Sequence, residues 1–280
     1  MNIAFFGTPG FVTDFVETLV AHDYSPTLII TAADRPVGRG MTITAPAPKV
    51  WAESHNIKVL QPEKLDDAFF EELSKTEWDL FVVVAYGKII PERVINLPKY
   101  GTINVHYSLL PKYRGATPVE SAILNGDTVT SVTIQQMAFK LDTGAILAQK
   151  QLPIETTDTT HTLRARLNNE AYKLLPETIG DIFSNTVHPV IQDETQATYS
   201  KKITKEDGLI NLADKGVLND RKYRAYYGWP GSYFFQDGKR IKITKAHLAG
   251  ETFVIDEVIP ENGKRMSWDS YVTRNPSSKE

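Results

Sequence analysis

The sequence contains no cysteine and no long apolar run. Disulfides, thiolate nucleophiles and cysteine-based metal sites are therefore excluded. The apolar runs fall short of the roughly 18 residues that a membrane-spanning helix needs. The first residues, MNIAFF, carry no basic charge and lead at once into the turn Gly7-Thr8-Pro9, which is untypical of a signal peptide. We expect a cytoplasmic protein that acts without a membrane.

Several motifs of common enzyme classes are also missing. The chain has no G-x-S-x-G elbow, no Walker A loop and no H-E-x-x-H pair, which argues against serine hydrolases, P-loop nucleotide enzymes and zinc proteases. Gly7-Thr8-Pro9 lacks the three glycines of a dinucleotide fingerprint. The aspartic protease signature L-D-T-G occurs once only, at residues 141–144. No metal is expected.

Composition and charge are those of a globular chain with an uneven charge distribution. The hydrophobic fraction is 41%, the charged fraction 23% and the net charge −3. Residues 200–280 nevertheless carry more basic than acidic side chains, whereas the preceding part is acidic. This asymmetry is a hint of a polyanionic partner for the C-terminal part, although ordinary surface charge explains it equally well.

Apolar strands alternate with helical patterns in the first half. The predicted strands are residues 2–6, 28–31, 58–60, 80–84 and 102–106, and the predicted helices between them are 11–21, 49–54 and 67–74. Nearly continuous apolar strands such as LFVVVA are typical of a parallel sheet that is covered on both faces. The predicted fold is therefore α/β, with a doubly wound, mostly parallel sheet.

The pattern changes after Thr128. Two alternating segments, 128–137 and 145–154, flank the turn Asp142-Thr143-Gly144 and predict antiparallel strands. A helix is predicted over 160–183, with Pro176 expected to kink or break it. The polar segment 184–200 is typical of a linker, and Asp237-Gly238 predicts a hairpin turn in the C-terminal part. The predicted domains are 1–183 (catalytic), 184–200 (linker) and 201–280 (small and β-rich).

Polar residues collect where the predicted strands end. Gly7, Asp34, Tyr86 and the pair Asn104 and His106 all lie at or just past such ends, where open parallel sheets bind ligands. Asn104 and His106 point the same way, because side chains on a strand alternate. An amide donor beside an imidazole suits a reaction that passes through a tetrahedral oxyanion. A third group should orient the imidazole, and Asp142 is the candidate, although a structural histidine and a plain turn aspartate remain alternatives.

Longer motifs give a resemblance to a known family. The matching stretches are FFGTPGF, ADRPVGRG, VLQPEKL, VVVAYGKIIP, INVHYSLLPKYRGATP, VTIQQM, LDTGAIL, YSKKITKEDGLI, WPGSYF and GKRMS. The N-x-H-x-S-L-L-P run with a downstream L-D-T-G resembles the folate-dependent formyltransferases. ADRPVGRG, YSKKITKEDG and WPG resemble the methionyl-tRNA formyltransferase family within that group, with a Rossmann-like formyltransferase sheet followed by a small β-barrel-like C-terminal domain.

The resemblance implies a reaction and a catalytic trio. The implied reaction transfers a formyl group from 10-formyltetrahydrofolate to the α-amine of methionyl initiator tRNA, for translation initiation. By position, Asn104 would polarise the formyl oxygen, His106 would stabilise the oxyanion or move the amine proton, and Asp142 would set the charge of His106 and act through water. The implied folate-binding residues are Tyr86, Gly87, Ser108, Leu109, Leu110, Pro111 and Asp142.

The resemblance also implies tRNA contacts and shows two departures. The implied contacts are Arg35, Arg39, Lys201, Lys202, Lys205 and Arg240. In the predicted exposed loop 34–48, GRG is followed by MTITA where the family usually has lysines. The C-terminal domain looks shorter, with material missing around residues 249–261. A monomer is expected. The lysine-poor loop should make tRNA affinity depend less steeply on salt, and the shortened C-terminal domain bears on tRNA affinity more than on the chemistry.

Two alternatives remain open. A formyltransferase acting on a sugar-nucleotide amine would use the same trio, but would need neither a basic tail nor DRPVGRG. A non-catalytic RNA-binding protein on the same scaffold predicts a broken trio, whereas Asn104, His106 and Asp142 are all present.

Overall fold

The structure, a computed structural model, describes residues 1–38 and 40–275, so that Arg39 lies outside the described residues. The strands are β1 (Ile3–Gly7), β2 (Leu28–Ile30), β3 (Arg35–Val37), β4 (Thr42–Thr44), β5 (Lys58–Leu60), β6 (Leu80–Val84), β7 (Thr102–His106), β8 (Val129–Gln136), β9 (Ile146–Pro153), β10 (Tyr233–Gln236), β11 (Lys239–Ala249), β12 (Thr252–Pro260) and β13 (Met266–Ser267). The helices are α1 (Val12–Ala21), α2 (Ala47–Ser54), α3 (Asp67–Ser74), α4 (Glu92–Ile95), α5 (Pro118–Asn125), α6 (Thr160–Ser184), α7 (Gly216–Ala225) and α8 (Trp268–Arg274). Within this part of the chain, none of the helices has the length and apolar character to traverse a lipid bilayer.

A seven-stranded sheet organises the first part of the chain, in the order β5-β2-β1-β6-β7-β8-β9. The pairs from β5 to β7 are parallel, and β8 runs antiparallel to β7. Strand order reverses beside β1, which has β2 on one side and β6 on the other. The predicted mostly parallel α/β sheet is confirmed.

The centre of the sheet is buried on both faces. Every residue of β1 and β6 is buried, which accounts for their unbroken apolar sequences. On one face, Phe6 and Phe81 pack with Phe69 and Leu73 of α3. A Cβ atom on Gly7 would lie 2.8 Å from the Phe5 ring and 3.0 Å from the Val84 carbonyl oxygen, so only glycine fits where β1 ends.

The predicted loop 34–48 is a β-hairpin followed by a helix. Strands β3 and β4 pair antiparallel, and α2 begins at Ala47. The prediction of an exposed loop agrees with the exposure of residues 40–44, but the segment also contains the paired strands β3 and β4 and the first residues of α2. Residues 41–45, MTITA, alternate apolar and polar side chains, but the strand is only three residues long and Thr42, Ile43 and Thr44 are all exposed. It is therefore shorter than the roughly four to eight residues over which alternation identifies a half-buried strand.

Helix α6 runs without a break through Pro176, so of the two expected effects, a kink or a break, the break does not occur. Leu163, Leu167, Leu175 and Ile179 are all fully buried along this helix. Their packing offsets the backbone hydrogen bond that a proline cannot donate.

The chain forms two compact units. The first comprises residues 1–114, 131–151 and 168–197, and the second comprises 115–130, 152–167 and the chain from Thr198 onward. The second unit contains the antiparallel sheet β10-β11-β12-β13, which confirms the predicted β-rich C-terminal part. Asp237 and Gly238 both have positive φ between β10 and β11, as expected for their hairpin. The domain boundaries after residues 183 and 200 stay a prediction.

Candidate active site

Asn104 and His106 occupy the carboxyl end of β7, in the first unit. His106 is buried, at 6% exposure, and Asn104 is half-buried. In the antiparallel pair with β8, Asn104 lies opposite Gln135 and His106 lies opposite Thr133. Directly opposed residues project from the same face of a sheet. The end of β7 and the facing part of β8 therefore present four polar side chains on one face.

The imidazole of His106 has a defined tautomer. Its Nε2 lies 3.0 Å from the carbonyl oxygen of Tyr113. Since a carbonyl oxygen only accepts hydrogen bonds, Nε2 carries the proton. The other nitrogen, Nδ1, faces Asp142 at 3.7 Å from Oδ2. Nδ1 is thus the nitrogen that can take up or release a proton.

The Asp142 carboxylate is presented by a tight turn between β8 and β9. Asp142 has φ of 51°, a left-handed conformation that aspartate tolerates better than most residues. A Cβ atom on Gly144 would lie 1.6 Å from the carbonyl oxygen of Gln136, so only glycine fits there. The 3.7 Å between Oδ2 and Nδ1 is longer than a direct hydrogen bond and within ion-pair range. The turn therefore brings the Asp142 carboxylate close to the His106 imidazole, and the catalytic role of the pair stays a prediction.

Two buried glutamines that the sequence patterns do not single out hold Asp142. Gln135 donates from Nε2 to Oδ1 of Asp142 at 2.8 Å. Gln192 donates from Nε2 to the backbone oxygens of Asp142, at 2.9 Å, and of Gly144, at 2.7 Å. Alternation along β8 predicts that Gln135 points inward with Thr133. No local signal indicates Gln192, which lies in the predicted linker.

Gln192 is itself held by a buried arginine. The Oε1 atom of Gln192 accepts from Nε and Nη2 of Arg114, at 3.0 and 2.9 Å. Arg114 is fully buried and also binds Glu194 through Nη1 and Nη2. The hydrogen bond from Arg114 holds the pKa of the Glu194 carboxyl below its ordinary value.

The predicted folate residues lie at the ends of β6 and β7. These strands are neighbours in the sheet, so residues 85–87 and 107–111 begin at the same edge. Ala85 and Gly87 have positive φ, and a Cβ atom on Gly87 would meet nothing within 4 Å. The Tyr86 ring packs edge-on against Phe6, and burial raises the pKa of Tyr86 to about 12. Tyr86 therefore offers its backbone, rather than its ring, to the edge.

The loop after β7 is fixed by hydroxyl groups. Ser108 donates to the carbonyl oxygen of Lys112 at 2.5 Å. Its own carbonyl oxygen accepts from Ser131 and Thr133, both at 2.6 Å. Leu110 is buried, whereas Leu109 and Pro111 are half-buried. Ser108 and Leu110 thus hold the loop in place, and Leu109 and Pro111 are the more accessible of the predicted folate residues.

Asp34 and Arg35 lie at the base of the hairpin β3–β4. Asp34 accepts from Lys49 at 2.8 Å and from Gln61 at 2.7 Å, and the hydrogen bond from Lys49 lowers the pKa of Asp34. Asp34 therefore anchors the hairpin to α2. Arg35 is exposed, as a contact to RNA requires.

The predicted tRNA contacts of the second unit are also exposed. Lys201, Lys202 and Lys205 lie in an irregular segment that leads into a short 3₁₀ helix at 206–208. Arg240 lies on β11 with its guanidinium carbon 3.8 Å from the centre of the Tyr233 ring. Arg224, by contrast, is paired with Asp220 at 2.7 Å and donates to the Asp158 carbonyl oxygen. The guanidinium of Arg224 is therefore engaged in contacts within the second unit.

Family comparisons cover most of the chain. Residues 1–179 match the family described as "Formyl transferase", and residues 202–253 match "Formyl transferase, C-terminal domain". The first match contains Asn104, His106 and Asp142. The second contains β10, β11 and α7.

Individual relatives and solved structures agree with these matches. The methionyl-tRNA formyltransferase of Caldicellulosiruptor saccharolyticus is 42% identical over 89% of this chain and 80% of its own length. That of Staphylococcus aureus is 40% identical over 91% of this chain and 82% of its own length. A Helicobacter canadensis N-formyltransferase, in complex with folinic acid and dTDP-3-aminofucose, has a TM-score of 0.69 at 21% identity, covering 90% of this chain and 89% of its own. The methionyl-tRNA formyltransferase from Clostridium thermocellum has a TM-score of 0.64 at 16% identity, covering 93% of this chain and 99% of its own. The structural likeness establishes a shared fold, and the sequence identity goes further: this chain belongs to the methionyl-tRNA formyltransferase family.

Proposed function

We propose that the protein transfers the formyl group of 10-formyltetrahydrofolate to the α-amine of methionine esterified to initiator tRNA. The observation that carries the proposal is the placement of Asn104, His106 and Asp142 at one sheet edge in a chain of this family. The proposed setting is the cytoplasm, where charged tRNA and folate are both present, with the enzyme acting as a monomer.

The reaction exchanges one carbon–nitrogen bond for another. The amine nitrogen forms a bond to the formyl carbon, and the bond between that carbon and N10 of the folate breaks. The amine loses one proton and N10 gains one. Between the two steps the formyl oxygen carries negative charge in a tetrahedral intermediate, which hydrogen-bond donors stabilise. Free α-amines titrate at about 7.7–8.0, so the nucleophile is available near neutral pH.

The trio divides these tasks. The Asn104 amide donates to the formyl oxygen as its charge develops. Because Tyr113 holds Nε2 of His106, Nδ1 is the nitrogen that exchanges the proton. The Asp142 carboxylate, at 3.7 Å, stabilises the imidazolium formed when Nδ1 takes that proton. The family resemblance implies that Asp142 also acts through a water molecule, which would link the carboxylate to the imidazole by hydrogen bonds.

The proposed folate site uses backbone more than side chains. Residues 85–87 follow β6 with positive φ at Ala85 and Gly87, both of which are exposed. Residues 108–111 form a loop held from behind by Ser131 and Thr133. A flat heterocycle with donors and acceptors on its rim fits such a backbone-lined edge. Asp142 is the remaining residue of the proposed folate site.

The proposed tRNA contacts are cations that the fold leaves exposed. Arg35 on β3, Lys201, Lys202 and Lys205 before the 3₁₀ helix, and Arg240 on β11 are all exposed. Arginine and lysine at such positions bind phosphate and release counterions. Arg39 completes the proposed set on sequence grounds.

The direct test is an incubation with 10-formyltetrahydrofolate and methionyl initiator tRNA. N-formylmethionine released from the tRNA is the readout, and elongator methionyl-tRNA is the control. We expect formylation of the initiator alone. Formylation of a sugar-nucleotide amine in place of the charged tRNA would establish the other enzyme class. Binding of tRNA without transfer would establish a non-catalytic scaffold.

Two substitutions test the trio. His106→Ala and Asp142→Asn should lower the rate by about 10²–10⁴-fold, as expected for a lost proton-transfer group, with fold and tRNA binding retained. An exposed pair offers matched controls: His247 Nδ1 lies 3.0 Å from Asp256 Oδ2, so His247→Ala and Asp256→Asn make the same chemical changes at an exposed site. Near-normal turnover in either trio variant contradicts the assignment.

A further inference from the structure

Gln135 lies among the proposed catalytic side chains. It is opposite Asn104 in the pairing of β7 with β8, and two residues along β8 from the residue opposite His106. Its exposure is 1%. An amide in this position is surrounded by the groups that would do the chemistry.

The contact that Gln135 makes selects one oxygen of Asp142. Its Nε2 donates to Oδ1 at 2.8 Å, while Oδ2 is the oxygen that faces Nδ1 of His106 at 3.7 Å. The two oxygens of a carboxylate are rigidly linked, so holding Oδ1 fixes the direction in which Oδ2 points. A hydrogen bond to an ionised acceptor is also among the stronger ones in proteins.

The other end of the amide argues against a purely structural role. Oε1 of Gln135 is buried, and the described residues provide no hydrogen-bond partner for it. Methionine or leucine would fill the same space, so side-chain volume alone does not account for a glutamine at this position. The opposite amide orientation would bring Oε1 against the carboxylate, so Asp142 fixes the orientation. The contact that distinguishes Gln135 from an apolar residue is therefore the hydrogen bond that its Nε2 donates to Asp142.

We propose that Gln135 is a positioning residue, which holds the Asp142 carboxylate so that Oδ2 faces His106. It touches no reacting atom in this role. The inference rests on the proposed function for its kinetic consequence, but the arrangement of His106 and Asp142 can be measured without any substrate.

The test compares Gln135→Met with Gln136→Met. Methionine matches glutamine in shape and has no donor. Gln136 is the next residue on β8, points to the opposite side and is exposed. We expect Gln135→Met to lower kcat by about 10²-fold, the effect of a misplacement of order 1 Å, with KM for both substrates nearly unchanged. Gln136→Met should behave as the unsubstituted enzyme.

A spectroscopic measurement separates this inference from the proposed function. The nitrogen NMR signals of the His106 imidazole, assigned by their loss in His106→Ala, should shift in Gln135→Met and stay in place in Gln136→Met. Because no substrate is present, this result holds even if the formyl acceptor is not methionyl-tRNA. Unchanged imidazole signals in Gln135→Met, or a fall in kcat that only matches a loss of folded protein, overturns the inference.

Discussion

Replacing Gln192 with leucine should both destabilise the protein and slow it. Leucine keeps most of the volume and removes four hydrogen bonds. Two of them run from Gln192 to the backbone oxygens of Asp142 and Gly144, and two run to Gln192 from the Arg114 guanidinium. The substitution therefore loosens the turn that carries Asp142 and disturbs a buried cation in one step.

The burial of the partners sets the size of the effect. Gln192 is 6% exposed and Arg114 is fully buried, so water does not readily replace the lost contacts. A hydrogen bond to a charged group contributes about 1.5–3 kcal/mol, and one between neutral groups about 0.5–1.5 kcal/mol. Arg114 keeps its contacts with Glu194, which limits the loss on its side. We expect a decrease of about 3 kcal/mol in the free energy of unfolding, near the upper end of single substitutions.

Gln192→Glu separates the two sides of the network. A glutamate keeps an acceptor for Arg114 but places an oxygen, instead of an N–H, against the carbonyl oxygens of residues 142 and 144. It should retain the Arg114 contacts and still release the turn. Urea denaturation followed by circular dichroism measures stability, and the initial rate of formyl transfer measures the consequence for Asp142.

Gln196→Leu is the matched control. Gln196 is exposed and donates to Asp193 at 2.9 Å, so its loss should change stability by no more than about 0.5 kcal/mol. If Gln192→Leu is as stable as this control, the hydrogen bonds of Gln192 do not hold the turn. If Gln192→Glu transfers formyl groups at the normal rate, the position of Asp142 does not depend on this clamp.

Three other single sites give predictions of their own. Gly144→Ala would place a Cβ atom 1.6 Å from the Gln136 carbonyl oxygen. It should lower the free energy of unfolding by at least about 1–3 kcal/mol and abolish formyl transfer. Gly10→Ala is the control in urea denaturation, because the nearest atom to its new Cβ would be 3.9 Å away. Burial raises the pKa of Tyr86 to about 12, above its ordinary 10.0, so its stabilising effect is complete below pH 10 and is lost as the pH rises toward 12. Tyr86→Phe should therefore lose less stability than the unsubstituted protein across that pH interval in urea denaturation, and an equal loss would contradict this account. Lys201→Ala should reduce the slope of log affinity for tRNA against log salt by about one, measured by filter binding, whereas an unchanged slope would remove Lys201 from the interface.

The strands at the centre of the sheet are predictable because burial on both faces leaves a strong local signal. The predicted bounds of the central strands 80–84 and 102–106 agree with the structure. Those of the helix at 67–74 and of the edge strand 58–60 agree as well, although the edge strand is only partly buried. The hairpin β3–β4 is not predicted because each of its strands has only three residues, too few for alternation to identify a strand, and Thr42–Thr44 is exposed. Local geometry predicts a kink or a break at Pro176, and the packing of the buried leucines along α6 accompanies a helix that continues through it.

The candidate site is predictable only in part. The shared direction of Asn104 and His106 follows from the two-residue period of a strand, whereas the turn alone makes Asp142 no more than a candidate, and its proposed role comes from the family resemblance. Gln192 is not predictable, since its position in the chain is that of a linker and its role arises from residues 48 to 78 positions away. Sequence patterns indicate a residue's local surroundings, whereas the hydrogen bonds that hold the turn at Asp142 come from residues far away in the chain.

If Asp142 acts on His106 as proposed, glutamine at both supports of Asp142 has an electrostatic advantage. A lysine or arginine in place of Gln135 would hold Oδ1 as firmly, but its charge would compete with His106 for the carboxylate. A neutral amide fixes the geometry and leaves the negative charge of Asp142 to act on the imidazole. Arg114, the cation of the network, supports the turn through the neutral Gln192 and is balanced by Glu194. Gln135→Lys should therefore preserve the turn and still lose transfer, since the electrostatic partner of His106 would be neutralised; formyl transfer at the normal rate by a folded Gln135→Lys protein would show that the charge of Asp142 is not what His106 needs.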